Sequence, residues 1–411
     1  MSGKTTLDHL RSIFVKFPLA RYFFYTSLVV NVSVYFLCSM AAVMQVDNVL
    51  NDFYITFRPG VEKILKDPDD LYDPIAGICS GMFCNAYRNL PALTLYHLLF
   101  YQLGTDYHLD LFLCSLFIVY FNLASCWLVF KIARHEKMQA LSTNKAFFSP
   151  YFIAGTYLIV MWHYHEYFHG HTQAITGFFA LLGFYFLLEE KEHLGFMSWS
   201  IAAIFKLNIL LWIVFLIWRR PFSRFFKNVG YSLIPQVPNI VMFLRWPKMA
   251  IDFIPSNIAF SLVNAVTFYR VSGTFSRELS YLFGVPITGF AVAMLACFVP
   301  TTFFILYRRK LHHVDRLFLV ILATIAILPD FWTAHALYVL IPYLFWLSVR
   351  SPGIGLKMKL VCATPLFFST PWFFLVGLSY SIPLRIPLIS LCFFIPFLAM
   401  TVHSIREPRV R

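Results

Sequence analysis

Residues 22–46 read YFFYTSLVVNVSVYFLCSMAAVMQV, an apolar stretch without a single charge. As a helix it is long enough to cross a hydrocarbon core of about 30 Å. Arg21 stands before it and Asp47 after it, so charge bounds the run on both sides. The rest of the chain repeats this pattern. Of 411 residues, 59% are hydrophobic, 19% aromatic and only 13% charged, roughly half the charge of a soluble domain. That composition cannot coat a water-facing surface, and 47 phenylalanines exclude a disordered or fibrous chain. The expected fold class is all-α, a polytopic integral membrane protein.

Working outward, further spans are expected over 109–130, 148–165, 172–188, 227–244, 285–307, 359–379 and 385–403. Two other stretches read as hairpins of short helices. One is 194–218, with Lys206 near its middle; the other is 317–349, turning at Pro329 and Asp330. Counting each hairpin arm gives about twelve membrane segments. Between the first two spans lies 47–108, a large external loop in which 52–66 and 90–104 read as interfacial helices, too short to cross. No second domain is visible, so 1–411 reads as one transmembrane domain.

The net charge of +13 does not indicate nucleic acid as a partner, because Lys and Arg cluster at the ends of apolar runs. Placing 1–21, 131–147, 189–193, 219–227, 308–316, 350–359 and 404–411 on one side collects most of the 33 basic residues. By the positive-inside rule that side is the cytoplasm. Both termini are then cytoplasmic, and 47–108 faces the exterior or a lumen. Residues 1–21, with Lys4, Arg11 and Lys16, do not read as a cleavable signal peptide. Most cysteines fall inside spans and read as small apolar side chains. Cys79 and Cys84 share the external loop, where a disulfide and two free thiols both stay open.

Few charges remain outside this map, and they mark the candidate chemistry. The external loop opens Asp47-Asn-Val-Leu-Asn-Asp52-Phe-Tyr-Ile-Thr-Phe-Arg58. A carboxylate at this boundary can meet both a lipid headgroup and a polar acceptor, and partial burial would tune it toward a general base. Asp52 can equally cap the helix that follows. Asp67 to Asp73 reads as turn chemistry around Pro68 rather than as a metal cage. Lys206, between two short apolar arms, is costly unless it faces a cavity or an anion, or snorkels to the interface. Arg58, Arg88 and Arg270 are further cations on the non-cytoplasmic side. Arg270 stands in a segment whose Gly273 suggests a loop over the site.

Several short motifs, in order, resemble one family. Asp52-Phe-Tyr is followed by Leu65-Lys-Asp-Pro-Asp-Asp-Leu71-Tyr72-Asp73 and by Tyr87-Arg-Asn-Leu-Pro91. Then come His171-Thr-Gln173 before an apolar span, Ala203-Ile-Phe-Lys206-Leu-Asn-Ile-Leu, and Thr333-Ala-His335-Ala-Leu-Tyr338. Together they resemble the GT-C superfamily of membrane glycosyltransferases, within it the polyprenol-phosphate-mannose-dependent mannosyltransferases of glycosyltransferase family 87. Leu90-Pro91 stands where that family has Pro-Pro, and His171-Thr where it has Gly before Gln. The resemblance implies inverting mannosyl transfer on the non-cytoplasmic face, from a polyprenyl- or dolichyl-phosphate sugar to a lipid-linked or glycan acceptor. It implies neither nucleotide nor metal. Asp52 matches the catalytic base; Lys206, His335, Gln173 and the arginines are the implied substrate contacts.

Two other classes compete. His165-Glu166-Tyr-Phe-His169 fits the zinc pattern His-Glu-x-x-His, in which two histidines four apart share a metal and the glutamate is the base. No later Asp inside a span offers a third ligand, and the motif lies in a short connection between helices. On the sugar-transfer reading the same stretch, with Trp162, Tyr164 and Tyr167, forms an aromatic rim near the acceptor. A lipid or solute transporter would show paired halves with matching broken helices; the two hairpins share no motif.

Overall fold

A computed structural model describes residues 19–44, 53, 57–72, 89–103, 107–141, 149–159, 163, 167, 170–218, 221–256, 287–308, 311, 313–327, 345, 398–399 and 401–402. Every element among them is helical, as the composition requires. The first long apolar run forms α1 (Leu19–Met44). Its buried positions include Ser27, Asn31, Tyr35 and Ser39, a ladder four residues apart that shares one face of a helix. Tyr22, Val29, Leu37, Met40 and Met44 are exposed, Met44 to 79%. The helix is thus turned inside out relative to a soluble one: polar groups face the protein and apolar groups face away.

Two short helices follow, α2 (Arg58–Lys66) and α3 (Ala92–Leu103). At about 1.5 Å per residue neither is long enough to cross a bilayer. Next, α4 (Tyr107–Arg134) repeats the inversion. Asp110, Ser115, Asn122 and Ser125 are buried, while Phe112, Leu116, Phe117, Tyr120 and Trp127 are exposed. Among the described residues, two helices are long and apolar enough to cross a membrane, over Leu19–Ala41 and His108–Arg134.

The chain continues through α5 (Glu136–Leu141), α6 (Pro150–Ile159), α7 (Gln173–Leu188) and α8 (Glu192–Phe205). The span expected over 148–165 is therefore a ten-residue helix in its described part. Helices α7 and α8 pack through glycines. A Cβ added at Gly183 would fall on the Trp199 indole and only 2.9 Å from the Gly195 carbonyl. That indole in turn donates to the Ala180 carbonyl at 3.0 Å, so the absence of a side chain at Gly183 lets the backbones approach.

After α8 the backbone is extended at Lys206 (φ −147°, ψ 109°), and α9 (Ile209–Leu216) begins three residues later. Trp199 and Trp212 meet with ring centroids 6.2 Å apart, whereas thirteen residues of unbroken helix would separate them by about 20 Å. The chain turns back at Lys206, as the hairpin reading of 194–218 anticipates.

The single span expected over 227–244 is corrected. It is α10 (Phe222–Leu233), a 3-10 turn at Ile234–Gln236, and α11 (Val237–Arg245). Pro235 and Pro238 each lack a backbone donor, which accounts for the interruption. A polar ladder ties this path inward: Ser200 donates to the Ser232 carbonyl, and Gln236 donates to the Ser200 carbonyl at 2.7 Å. Asn239 donates to Gln236 at 2.8 Å and accepts the Ala92 amide at 2.7 Å. Helices α12 (Ile287–Arg308) and α13 (His313–Ile327) complete the described bundle. The distal arm of the 317–349 hairpin and the spans expected over 359–379 and 385–403 lie almost wholly outside the described residues.

The bundle has two chemically different ends. At one, Lys137 on α5 pairs with Glu190 at 2.6 Å and donates to the Leu188 carbonyl at 2.7 Å. His135 lies 3.2 Å from Glu189, and Arg21 sits over Tyr151. This basic end gathers the start of α1, the close of α4 and the junction of α7 with α8. The opposite end holds α2, α3, the start of α7 and Lys206. Gly183→Ala should lower the thermal unfolding midpoint of the detergent-solubilised protein, with a loss of about 1–3 kcal/mol; an unchanged midpoint would show that α7 and α8 do not depend on this approach.

Candidate functional site

The end opposite the basic clusters is organised around α3. Its start is fixed by Pro91, whose carbonyl takes the Thr94 hydroxyl, and by the Asn239 carbonyl oxygen on the Ala92 amide. Leu93, Thr94, His97 and Phe100 form its buried face. Against that face packs α2, which begins with Pro59 where a missing amide hydrogen costs nothing. The acidic run after α2 is a turn, as the sequence suggests. The Asp67 carboxylate accepts the Asp69 amide at 3.1 Å, Lys63 donates to the Asp70 carbonyl, and Lys248 pairs with Asp70 at 2.6 Å. Tyr72, fully buried beyond the turn, donates to the Asn89 carbonyl at 3.0 Å.

Arg58, at the head of α2, donates to the Asp110 carboxylate, lies 3.5 Å from Glu62 and covers the Tyr101 ring at 4.8 Å. Asp110 is buried in the first turn of α4, where the helix dipole favours a negative charge. The arginine therefore clamps α2, α3 and α4 together. Beside it, Phe57 stacks face to face on His97, centroids 4.4 Å apart and planes within 14°. Phe53 meets the same imidazole edge-on, and His171 approaches Phe57 at 6.1 Å.

His171 reaches this position because Gly170 turns the chain with φ +64°. The positive φ favours glycine there, and a Cβ would come within 3.1 Å of the Leu111 and Phe53 side chains. Gln173 opens α7 two residues on and is 1% exposed, its Oε1 without a hydrogen-bond partner among the described residues. On the far flank of α3, Tyr96 meets Phe205 edge-on at 5.4 Å, and Phe205 precedes Lys206. The chain neighbours of Arg58, Gln173 and Lys206, namely Phe57, Ala174 and Phe205, thus belong to one apolar cluster. Asp52, Arg88, Arg270 and His335 lie outside the described residues, as do His165, Glu166 and His169 and the pair Cys79 and Cys84.

The described members of the histidine-rich stretch are built into the core. His163 is buried, its Nε2 2.8 Å from the Tyr157 carbonyl. The Tyr167 hydroxyl donates to Asn31 at 2.8 Å and accepts from Asn122 at 3.0 Å, while Tyr157 donates to the other end of the Asn122 amide. Among the described residues no group of three or more His, Cys, Asp or Glu side chains is placed to hold a metal.

Two site residues escaped the sequence reading. Asp110 looked like the polar start of a span, and His97 sat inside an apolar run. The legible signal for His97 was its isolation: an imidazole in the middle of a short apolar helix needs a reason. The sequence matches no protein-family model and no curated protein.

Burial pushes the His97 imidazole down to about 3, and the neighbouring His171 adds to the shift. Between the usual value near 6.5 and that value the unfolded chain binds the extra proton and the folded chain does not. Stability should therefore fall as pH drops from about 6.5 toward 3. Melting curves at pH 7 and pH 5 should show this loss, and His97→Phe should flatten it. Separately, Arg58→Ala removes the ion pair that ties buried Asp110 to α2 and should lower stability, by up to about 3–5 kcal/mol. Asp110→Asn in the same chain should recover much of that loss in a thermal-denaturation double-mutant cycle; additivity would mean the two do not act as a pair.

Proposed function

We propose that the protein is an integral membrane glycosyltransferase that moves a mannosyl group from a polyprenyl- or dolichyl-phosphate donor to a lipid-linked or glycan acceptor. The observation that carries the reading is the apolar cluster around α3, which takes in Phe53 after Asp52, Phe57 before Arg58, Ala174 after Gln173 and Phe205 before Lys206. The inverted faces of α1 and α4 support a lipid environment, since exposed apolar surface of this extent is otherwise a liability in water. About twelve segments, cytoplasmic termini and a site on the extracytoplasmic or lumenal side complete the proposal. The opposition of the basic end and the α3 end agrees with that orientation.

The chemistry asks little of the protein beyond placement. Asp52 takes the proton of the acceptor hydroxyl as its oxygen attacks the anomeric carbon from the face opposite the phosphate. The bond from the anomeric carbon to the phosphate oxygen breaks, and the lipid phosphate leaves with that electron pair. One carboxylate suffices for inversion, because no covalent sugar–enzyme intermediate forms. Charge developing on the phosphate needs a cation in an apolar surround, where it acts strongly. Lys206, set at an extended break between two apolar helices, suits that role, with His335 as a further contact. Arg58, engaged by Asp110 and Glu62, fixes the head of α2.

In membranes carrying the full-length chain, transfer from radiolabelled polyprenyl-phosphate-mannose should fall about 10²- to 10⁴-fold in Asp52→Asn, with expression and melting behaviour unchanged. Lys206→Ala should also impair it. Wild-type turnover by Asp52→Asn would remove the assignment of the base, and inactivity of the wild type toward this donor would remove the reading altogether.

A further inference from the structure

His97 is 2% exposed, yet neither ring nitrogen has a hydrogen-bond partner among the described residues. Leaving a buried donor and acceptor unmade is costly, and native folds rarely do so without a reason. A ring needed only to stack on Phe57 would be served as well by phenylalanine, at no polar cost. The neutral imidazole instead holds one donor and one acceptor at the centre of the cluster. A second unsatisfied group is the Oε1 of Gln173, buried without a partner among the described residues, and Ala174, the next residue, belongs to the same apolar cluster as Phe57 and Leu93.

The neighbours define what this pair can take. Tyr96 meets Phe205, the residue before Lys206, and His97, the next residue along α3, meets Phe57. Tyr96 and His97 also meet each other edge-on, ring centroids 5.0 Å apart, so one run of rings leads from Phe205 beside Lys206 to His97. Neutral donors and acceptors between aromatic rings match the hydroxyls of a pyranose better than they match an ion. We infer that His97, with Gln173, forms a subsite that binds a hydroxyl of the donor sugar, an inference that rests on the sugar-transfer reading above. His97 is then a binding residue, whose ring nitrogens pair with a hydroxyl of the sugar.

The test uses the full-length protein in detergent, with polyprenyl-phosphate-mannose and a series of its deoxymannosyl analogues as donors. His97→Leu should lower kcat/KM about 10- to 100-fold, the range lost when a polar contact to a substrate goes unmade. It should also raise the melting temperature, because an unpaired polar group has been removed. His97→Gln should keep part of the activity. The penalty of His97→Leu should vanish for the one analogue that lacks the contacted hydroxyl. Undiminished kcat/KM, a lower melting temperature, or an equal penalty across all deoxy donors would each overturn the subsite. A wild type that transfers sugar alongside an unimpaired His97→Leu overturns only this inference; a wild type inactive toward the mannosyl donor removes the transfer reading and the subsite with it.

Discussion

One hydroxyl holds the site end of the bundle together. The Tyr167 side chain lies between α1, which supplies Asn31, and α4, which supplies Asn122, and it exchanges hydrogen bonds with both. Asn31 also donates to the Leu158 carbonyl on α6, and Tyr157 completes Asn122. Three helices are thereby tied to the segment that leads into Gly170 and α7. Where the outer surface is apolar, these side chains have no alternative partner, so the network must close internally. Everything that gathers around α3 depends on that closure, because it sets where His171 and Gln173 arrive.

The same economy of polar groups governs the rest of the structure. Each polar side chain on an otherwise apolar helix is either matched within the bundle or stands out by being unmatched. The ladder from Ser232 through Ser200, Gln236 and Asn239 to the Ala92 amide is matched throughout and fixes the start of α3. The Arg58 and Asp110 pair is matched and fixes α2. His97 and Gln173 stand among the buried polar side chains left without a partner among the described residues, as Ser27 on α1 does; what sets them apart is their place in the aromatic cluster around α3.

Much of the helical path was legible in the residues. Long uncharged runs located α1 and α4, since nothing but a helix satisfies every backbone group without water. The turn at Asp67–Asp70 and the reversal at Lys206 also followed from local chemistry, namely Pro68 with its flanking aspartates and a charge between two short apolar arms. The path over 222–245 was less legible. Hydropathy averages over a window and does not register that Pro235 and Pro238 tighten the helix into a 3-10 turn. Asp110 was missed because a carboxylate at the head of a span looks like a boundary marker until its arginine partner, distant in sequence, is seen.

Composition and charge placement are properties of the chain read in one dimension, and they suffice for an all-helical class, for the apolar runs and for the sorting of basic residues toward one end. Which face of each run turns inward is not such a property. Residues on α1 and α4 repeat with little amphipathic contrast, so only contact with neighbouring helices selects Ser27, Asn31 and Asn122 for the interior and Leu37 and Trp127 for the exterior. The gathering of Phe57, Ala174 and Phe205, and with them the segments that carry Arg58, Gln173 and Lys206, around α3 is likewise a tertiary outcome. These residues are separated by long stretches of sequence, and nothing local dictates their approach; hydrogen bonds and ring contacts between distant helices do.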